Sequence, residues 1–211
     1  RAWPSSSRNP RPLGRGGCQK QQKSKQAKPV RTVSKALGYT CGAGTRLGEL
    51  LVDYAVEEIK PKHDAKIGQI IQQVGAEFGA VGEGFGPSDP EVSAMSAHYM
   101  EATSSQYLVA TVNGEIVGGS GVAGFNGSTE ICELRKLFLL PKARGLGLGK
   151  SLTEKCLAFA RAQGYKKCYI DTLKSMTAAV ALYEKLGFTH LQQPLAGTIH
   201  TACDVWMIKE L

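Results

Sequence analysis

The chain has 211 residues, 42% of them hydrophobic and 21% charged, with a formal net charge of +8. That length buries one good core and leaves little for a second, and no apolar run reaches the ~20 residues of a membrane-spanning helix, so neither a two-domain machine nor a membrane partner is expected. The charge suggests nucleic acid only until it is located: eleven of the 26 Lys and Arg, and not one Asp or Glu, fall in residues 1–48, leaving 15 basic against 18 acidic residues elsewhere. The domain itself is mildly acidic, which makes nucleic acid an unexpected partner for it.

Residues 1–54 mix Pro, Gly, Ser, Gln and basic residues with no apolar period, too little to offset the entropy of ordering, and are expected to be a disordered basic tail. Three readings of the tail stand open: an organellar transit peptide, a nucleic-acid-binding arm, or non-native upstream translation, the last suggested by the missing initiator Met. Residues 55–211 are expected to form the folded domain. Six scattered cysteines with no C-x-x-C pair fit a reducing compartment. The expected location is the cytoplasm, or an organellar matrix if the tail is a transit peptide.

Within the domain helices and strands alternate. Val56–Lys60 reads as a short strand closed by Pro61. Ile67, Ile70, Ile71, Val74 and Phe78 then fall at steps of three and four, one stripe of an amphipathic helix over 63–79, with Asp64 at its dipole-favoured start. Residues 79–90 hold too much Gly and Pro for regular structure, and Ser88 or Asp89 is expected to cap a helix from Pro90 to about Met100. Tyr107–Val112 and Ile116–Val122 flank Asn113-Gly114, a pair that accepts positive φ twice, and so form an antiparallel hairpin. A strand over 130–140 ends at Pro141, and a helix over about 147–163 sets Leu148, Leu152, Cys156, Phe159 and Ala160 on one face. Lys167–Asp171 reads as a buried strand, Met176–Leu186 as a helix stopped by Gly187, and Asp204–Ile208 as the last strand. The product is an α/β domain with a mixed sheet.

The strand-to-helix turn PKARGLGLGKSL (141–152) carries three glycines. Glycines there let successive N–H groups face inward, and the new helix adds its positive end, so a pyrophosphate finds donors and a favourable field; the plain alternative is a tight turn with glycines for packing. A Walker A loop fails because Arg144 stands where its first Gly belongs. A Rossmann fingerprint fails because its third Gly would be Lys150 or Leu152. What remains is Arg-Gly-Leu-Gly-Leu-Gly.

This loop resembles the Q/R-x-x-G-x-G/A pyrophosphate loop of the GNAT family of N-acetyltransferases, matched by Arg144, Gly147 and Gly149. With ELRKLFLLPKARGLGLGKSL around it and ALYEKLGF at 181–188, the chain resembles the bacterial branch of that family over about residues 55–211. The resemblance implies a mixed central sheet of six to seven strands flanked by about four helices. It implies acetyl-CoA as co-substrate and an amine as acceptor, with a homodimer as the common assembly. It implies cofactor contacts from Leu137, Phe138 and Leu139, whose strand splays from its neighbour, and from Arg144, Gly145, Leu146, Gly147, Leu148, Gly149 and Lys150 in the loop; that Leu137–Leu139 also serve as core is compatible, because the contacts are made by backbone.

Acetyl transfer to an amine needs a proton removed from an ammonium of pKa ~10.4 and a proton for the leaving thiolate. Tyr183, in ALYEKLGF, matches the family's general acid; the alternative is a ring that only packs on the sheet. Glu133 is the candidate base, on strand alternation sharing a face with Arg135 and Leu137 and opposite Leu134 and Lys136; a carboxylate merely paired with a nearby Lys or Arg, leaving water as base, competes equally. His63, His98, His190 and His200 show no ligand spacing, so no metal is expected. A non-catalytic acyl-CoA sensor and a nucleic-acid protein acting through the tail are the rival functions. The acceptor is not readable from sequence, although the loops at 79–90 and 192–202, with Glu83, Phe85 and Asp89, are placed to choose it.

Overall fold

The structure is a computed structural model and describes residues 30–34 and 52–211. Among the described residues eight strands form one sheet in the order β1-β2-β3-β4-β5-β6-β8-β7. They are β1 (Val30–Ser34), β2 (Val52–Glu58), β3 (Gln106–Val112), β4 (Glu115–Gly124), β5 (Ile131–Leu139), β6 (Lys167–Thr172), β7 (Thr189–His190) and β8 (Val205–Glu210). All neighbours run antiparallel except β5 and β6, so the sheet is mixed as expected. Two short edge strands, β1 and β7, bring the number to eight. β1 lies inside the stretch read as a disordered tail: its β-branched Val-Arg-Thr-Val pattern suits an edge strand, and it pairs along β2 from Val30↔Val56 to Ser34↔Val52. The rest of that tail before Val52 lies outside the described residues. β2 begins four residues earlier than expected, because Val52–Ala55 pairs along β1, with Tyr54 and Ala55 also pairing with β3.

Among the described residues four α-helices cover the two faces: α1 (Asp64–Glu77), α2 (Met95–His98), α3 (Leu148–Ala162) and α4 (Thr177–Lys185). None among the described residues is long and apolar enough to cross a membrane. On one face α1 packs Ile67, Ile70, Ile71 and Val74 against Tyr99, Tyr107, Val109 and Phe138. Each such side chain contributes roughly 1.5–3 kcal/mol of burial. On the other face α3 sets Leu148, Leu152, Cys156 and Ala160 against Val117, Val122, Leu134 and Ile170.

The helix expected from Pro90 to Met100 is broken. A 3-10 turn at Pro90–Ala94 precedes the four residues of α2. No side chain among the described residues caps it: the Asp89 carboxylate bonds Lys136 instead, a charged partner being worth more than a neutral N–H. The segment lies tightly on α1, where a Cβ at Gly68 would sit 2.7 Å from the Val92 carbonyl oxygen. The Asn113-Gly114 hairpin forms as read, with φ of 51° and 80°.

Candidate active site

β5 is the hinge of the site. Its parallel pairing with β6 stops after three residues, Ile131↔Lys167, Cys132↔Cys168 and Glu133↔Tyr169. Beyond Glu133 the two strands part, and the cleft between them is lined by Glu133–Phe138 on one side and Ile170–Leu173 on the other. On its other edge β5 carries a bulge. Gly121 pairs with Arg135 and Gly119 with Phe138, so the single Ser120 faces both Lys136 and Leu137. Lys136 takes φ 52°, a left-handed conformation rare for a residue with a side chain.

The bulge reverses the strand's alternation and corrects the expected facing. Leu134 before it and Leu137 and Leu139 after it all pack toward α3, whereas Phe138 and Leu140 pack toward α1. Leu137 therefore does not share a face with Glu133 and Arg135. Lys136, expected opposite Glu133, instead joins it in one buried ionic cluster on the α1 side.

At the end of β5 a 3-10 turn, Pro141–Ala143, leads into the glycine loop. Gly145 and Gly147 have φ of 76° and 81°, and a Cβ on either would meet nothing within 4 Å. Conformation, rather than lack of space, requires glycine there. The first helical bond of α3 runs from Ser151 N–H to the Gly147 carbonyl, which leaves the N–H groups of Leu148, Gly149 and Lys150 without intrahelical partners. Gly149 sits beside Leu139 and Leu182, joining the loop to β5 and α4. The Arg144 guanidinium is turned from the loop: it pairs both nitrogens with Glu77 at 2.5 and 2.8 Å, donates to the Leu139 carbonyl, and lies over the Phe78 ring. Lys150 extends into solvent near Glu154.

Tyr183 is buried in α4, with its ring tilted on Phe188 and its edge on the cleft. Its hydroxyl bonds none of the described residues. Burial raises its pKa, so the phenol stays protonated across neutral pH.

Glu133 is 4% exposed and doubly paired: Oε2 accepts from Arg135 Nε at 2.7 Å, and Oε1 lies 3.1 Å from His200 Nδ1. Burial pushes its carboxyl up, but His200 and Arg135 outweigh this and hold it below the ordinary value. His200, read from sequence as one of four unremarkable histidines, is the centre of the cluster. Its Nε2 lies 3.1 Å from Asp89 Oδ2 and its Nδ1 3.5 Å from Asp171 Oδ2. Burial lowers its pKa, yet these carboxylates lift it to about 11, making it an imidazolium. Lys136 Nζ bonds Asp89 at 2.7 Å and Glu91 at 2.5 Å, while Tyr169 and Thr198 hydroxyls donate to Asp171, each at 2.6 Å. Glu133, Asp171 and His200 bring one ligand atom each within 4.8 Å of one another. Both ring nitrogens of His200 face carboxylates, the geometry of a double donor rather than of a metal ligand. No sequence signal marks this trio, because its members lie on β5, on β6 and in the 191–204 loop.

Residues 77–188 match the model of the acetyltransferase (GNAT) family. An N-acetyltransferase of Escherichia coli K12, YjgM, is 40% identical over 147 residues, covering 69% of this chain and 87% of that one. An acetyltransferase of GNAT family from Staphylococcus aureus Mu50 superposes with a TM-score of 0.64 at 19% identity, over 74% of this chain and 98% of its own. A phosphinothricin acetyltransferase from Sinorhizobium meliloti, solved in complex with acetyl-CoA, gives 0.59 at 18% identity over 75% and 88%. At those identities the two structures speak to fold alone.

Proposed function

Because the chain belongs to the acetyltransferase (GNAT) family of acetyl-CoA-dependent acyltransferases, we propose that it transfers acetyl from acetyl-CoA to a primary amine of a small molecule or peptide, by direct attack in a ternary complex. The observation that carries this reading is the parting of β5 from β6 after Glu133, which opens a cleft lined by the two strands and Tyr183. The loop before α3 would bind the pyrophosphate through backbone N–H groups of residues 145–150, in the field of the helix N-terminus. Arg144 would help from behind, fixing the loop to Glu77 and β5 rather than touching phosphate. The backbone of Leu137–Leu139 would hold the pantetheine arm.

Tyr183 is assigned as the general acid. Its hydroxyl is protonated at neutral pH and uncommitted to another residue, so it can give its proton to a leaving thiolate. Glu133 suits the base role less well. Two cationic partners lower its proton affinity, which favours water as the acceptor of the ammonium proton and leaves Glu133 as a fixed negative charge beside it.

The test is calorimetric titration of acetyl-CoA, followed by thiol release across amines of different charge. Micromolar binding with turnover on at least one amine supports the reading. Binding without turnover on any amine leaves an acyl-CoA sensor, and no binding removes the proposal altogether.

A further inference from the structure

We propose that His200 is a positioning residue for the acceptor amine: a buried cationic clasp that holds both acceptor-side loops onto the two splayed strands. The proposal rests on the acetyltransferase reading above and deepens it. Four separate pieces of chain meet at this one imidazole. Glu133 comes from β5, Asp171 from β6, Asp89 from the 79–90 loop, and His200 itself from the 191–204 loop, with contacts of 3.1, 3.5 and 3.1 Å. The two strands are those that part to open the cleft, and Phe85, Gly86, His200 and Cys203 line its loop side.

Among the described residues each loop has its own tie to one strand, Lys136 to Asp89 at 2.7 Å from β5 and the Leu195 N–H to the Tyr169 hydroxyl at 3.3 Å on β6, but His200 joins the two loops and both strands at one point. Ala202 N–H donates to the Gly84 carbonyl at a long 3.3 Å. Thr198 holds Asp171, and its hydroxyl accepts from the His200 N–H at 3.1 Å, so it orients the clasp rather than replacing it. Removing the imidazolium leaves three carboxylates facing one another, with Lys136 and Arg135 among the described residues to balance them. Like charges at this spacing repel. The 191–204 loop would then lose its hold on Glu133 and on the Asp89 loop, which Lys136 alone would keep on β5, and the wall against which an amine is held would shift. The glycine loop before α3 and the Leu137–Leu139 backbone take no part in the clasp, so the cofactor half of the site should survive.

The charged and titratable groups facing His200 are Glu133 and Arg135 from β5, Asp171 and Tyr169 from β6, Asp89 with its partner Lys136, and Cys203 from its own loop. With Glu91, which shares Lys136, four carboxylates face Arg135 and Lys136, and a charged His200 brings the cations to three. A positive charge, not an imidazole shape, is therefore what the position requires.

The experiment uses the full chain and an acceptor that turns over in thiol release. His200→Gln keeps a hydrogen-bonding side chain without the charge, and His200→Lys restores the charge without the ring. His200→Gln is expected to raise the acceptor KM about tenfold or more while acetyl-CoA Kd, by calorimetry, stays within about twofold. His200→Lys is expected to recover a substantial part of the KM loss. If His200→Gln does not fold, Asp89→Asn removes one strut of the clasp and should give the same split between acceptor KM and acetyl-CoA Kd. An unchanged acceptor KM overturns the proposal, as does equal damage by Gln and Lys, or loss of cofactor binding in step with KM. A wild-type chain that fails to bind acetyl-CoA sinks the acetyltransferase reading instead, so the two failures are separable.

Discussion

The glycine loop offers the sharpest test of the cofactor assignment, through paired substitutions at Gly147. Its φ of 81° makes any side chain costly, about 1–2 kcal/mol for the left-handed conformation, but a Cβ there meets nothing within 4 Å. Gly147→Ala therefore measures the conformational cost alone. Gly147→Asp adds a carboxylate at the N-cap of α3, where a negative charge favours the helix, so its folding stability should equal or exceed that of the Ala variant. For a pyrophosphate seated on the N–H groups of residues 148–150, that carboxylate is a like charge at contact distance. At roughly 4–6 Å and an effective dielectric near 20 the repulsion is about 3–4 kcal/mol, a loss of on the order of 100- to 1,000-fold in acetyl-CoA affinity. Calorimetry at about 0.15 M and 1 M salt separates the components, because only the electrostatic part is screened. Equal affinities in the Ala and Asp variants would refute the placement of the pyrophosphate at this helix end.

Three further outcomes are expected. Tyr183→Phe removes a hydroxyl that bonds none of the described residues, so acetyl-CoA affinity should hold while kcat falls about 100-fold; an unchanged kcat in steady-state assays removes Tyr183 as the acid. The folded pKa of His200, raised from 6.5 to about 11, means its contribution is fully present below pH ~6.5 and is lost as pH rises toward 11. Urea midpoints of the wild type should decline over that window, by at most about 1.4 kcal/mol per pH unit from this one proton, and His200→Gln should flatten the decline. Gly119→Ala puts a Cβ 2.5 Å from Tyr107 Cε1 and closer still to the Leu108 carbonyl, so it should cost about 3 kcal/mol in equilibrium unfolding, and a neutral result would mean that β3 and β4 can separate.

What the sequence made legible follows from how local each signal is. The hairpin at Asn113-Gly114, the stripe of α1 and the stop of α4 at Gly187 depend on residues a few positions apart, and they appear within a residue or two of where they were read. The Pro90–Met100 helix failed because neither residue offered as its cap is free to serve: Asp89 is claimed by Lys136 and His200 from distant parts of the chain, and Ser88 Oγ accepts from the Gly82 N–H. Val30–Ser34 was read with its basic, Pro-rich surroundings and so was not separated from the tail. The same limit explains His200. Nothing within ten residues of it in sequence supplies a carboxylate partner, and the three that do are 29 to 111 positions away.

The bulge at Lys136 links the two halves of the site and could not be seen in an alternating strand. Without it, Lys136 would point toward α3, into the apolar layer of Leu134, Leu152 and Ile170, where an unpaired ammonium is prohibitive. With it, Lys136 turns to Asp89 and Glu91, and its carbonyl accepts from the Tyr107 hydroxyl. The same extra residue returns Leu137 and Leu139 to the apolar side and sends Phe138 toward α1. One left-handed residue thus lets β5 present an ionic face at its start and an apolar, ligand-accessible edge at its end. Substituting Lys136 by Gly would ease its backbone at φ 52° yet remove the charge that holds Asp89 in place, so the strain at this residue is offset by the same contacts that organise the acceptor side.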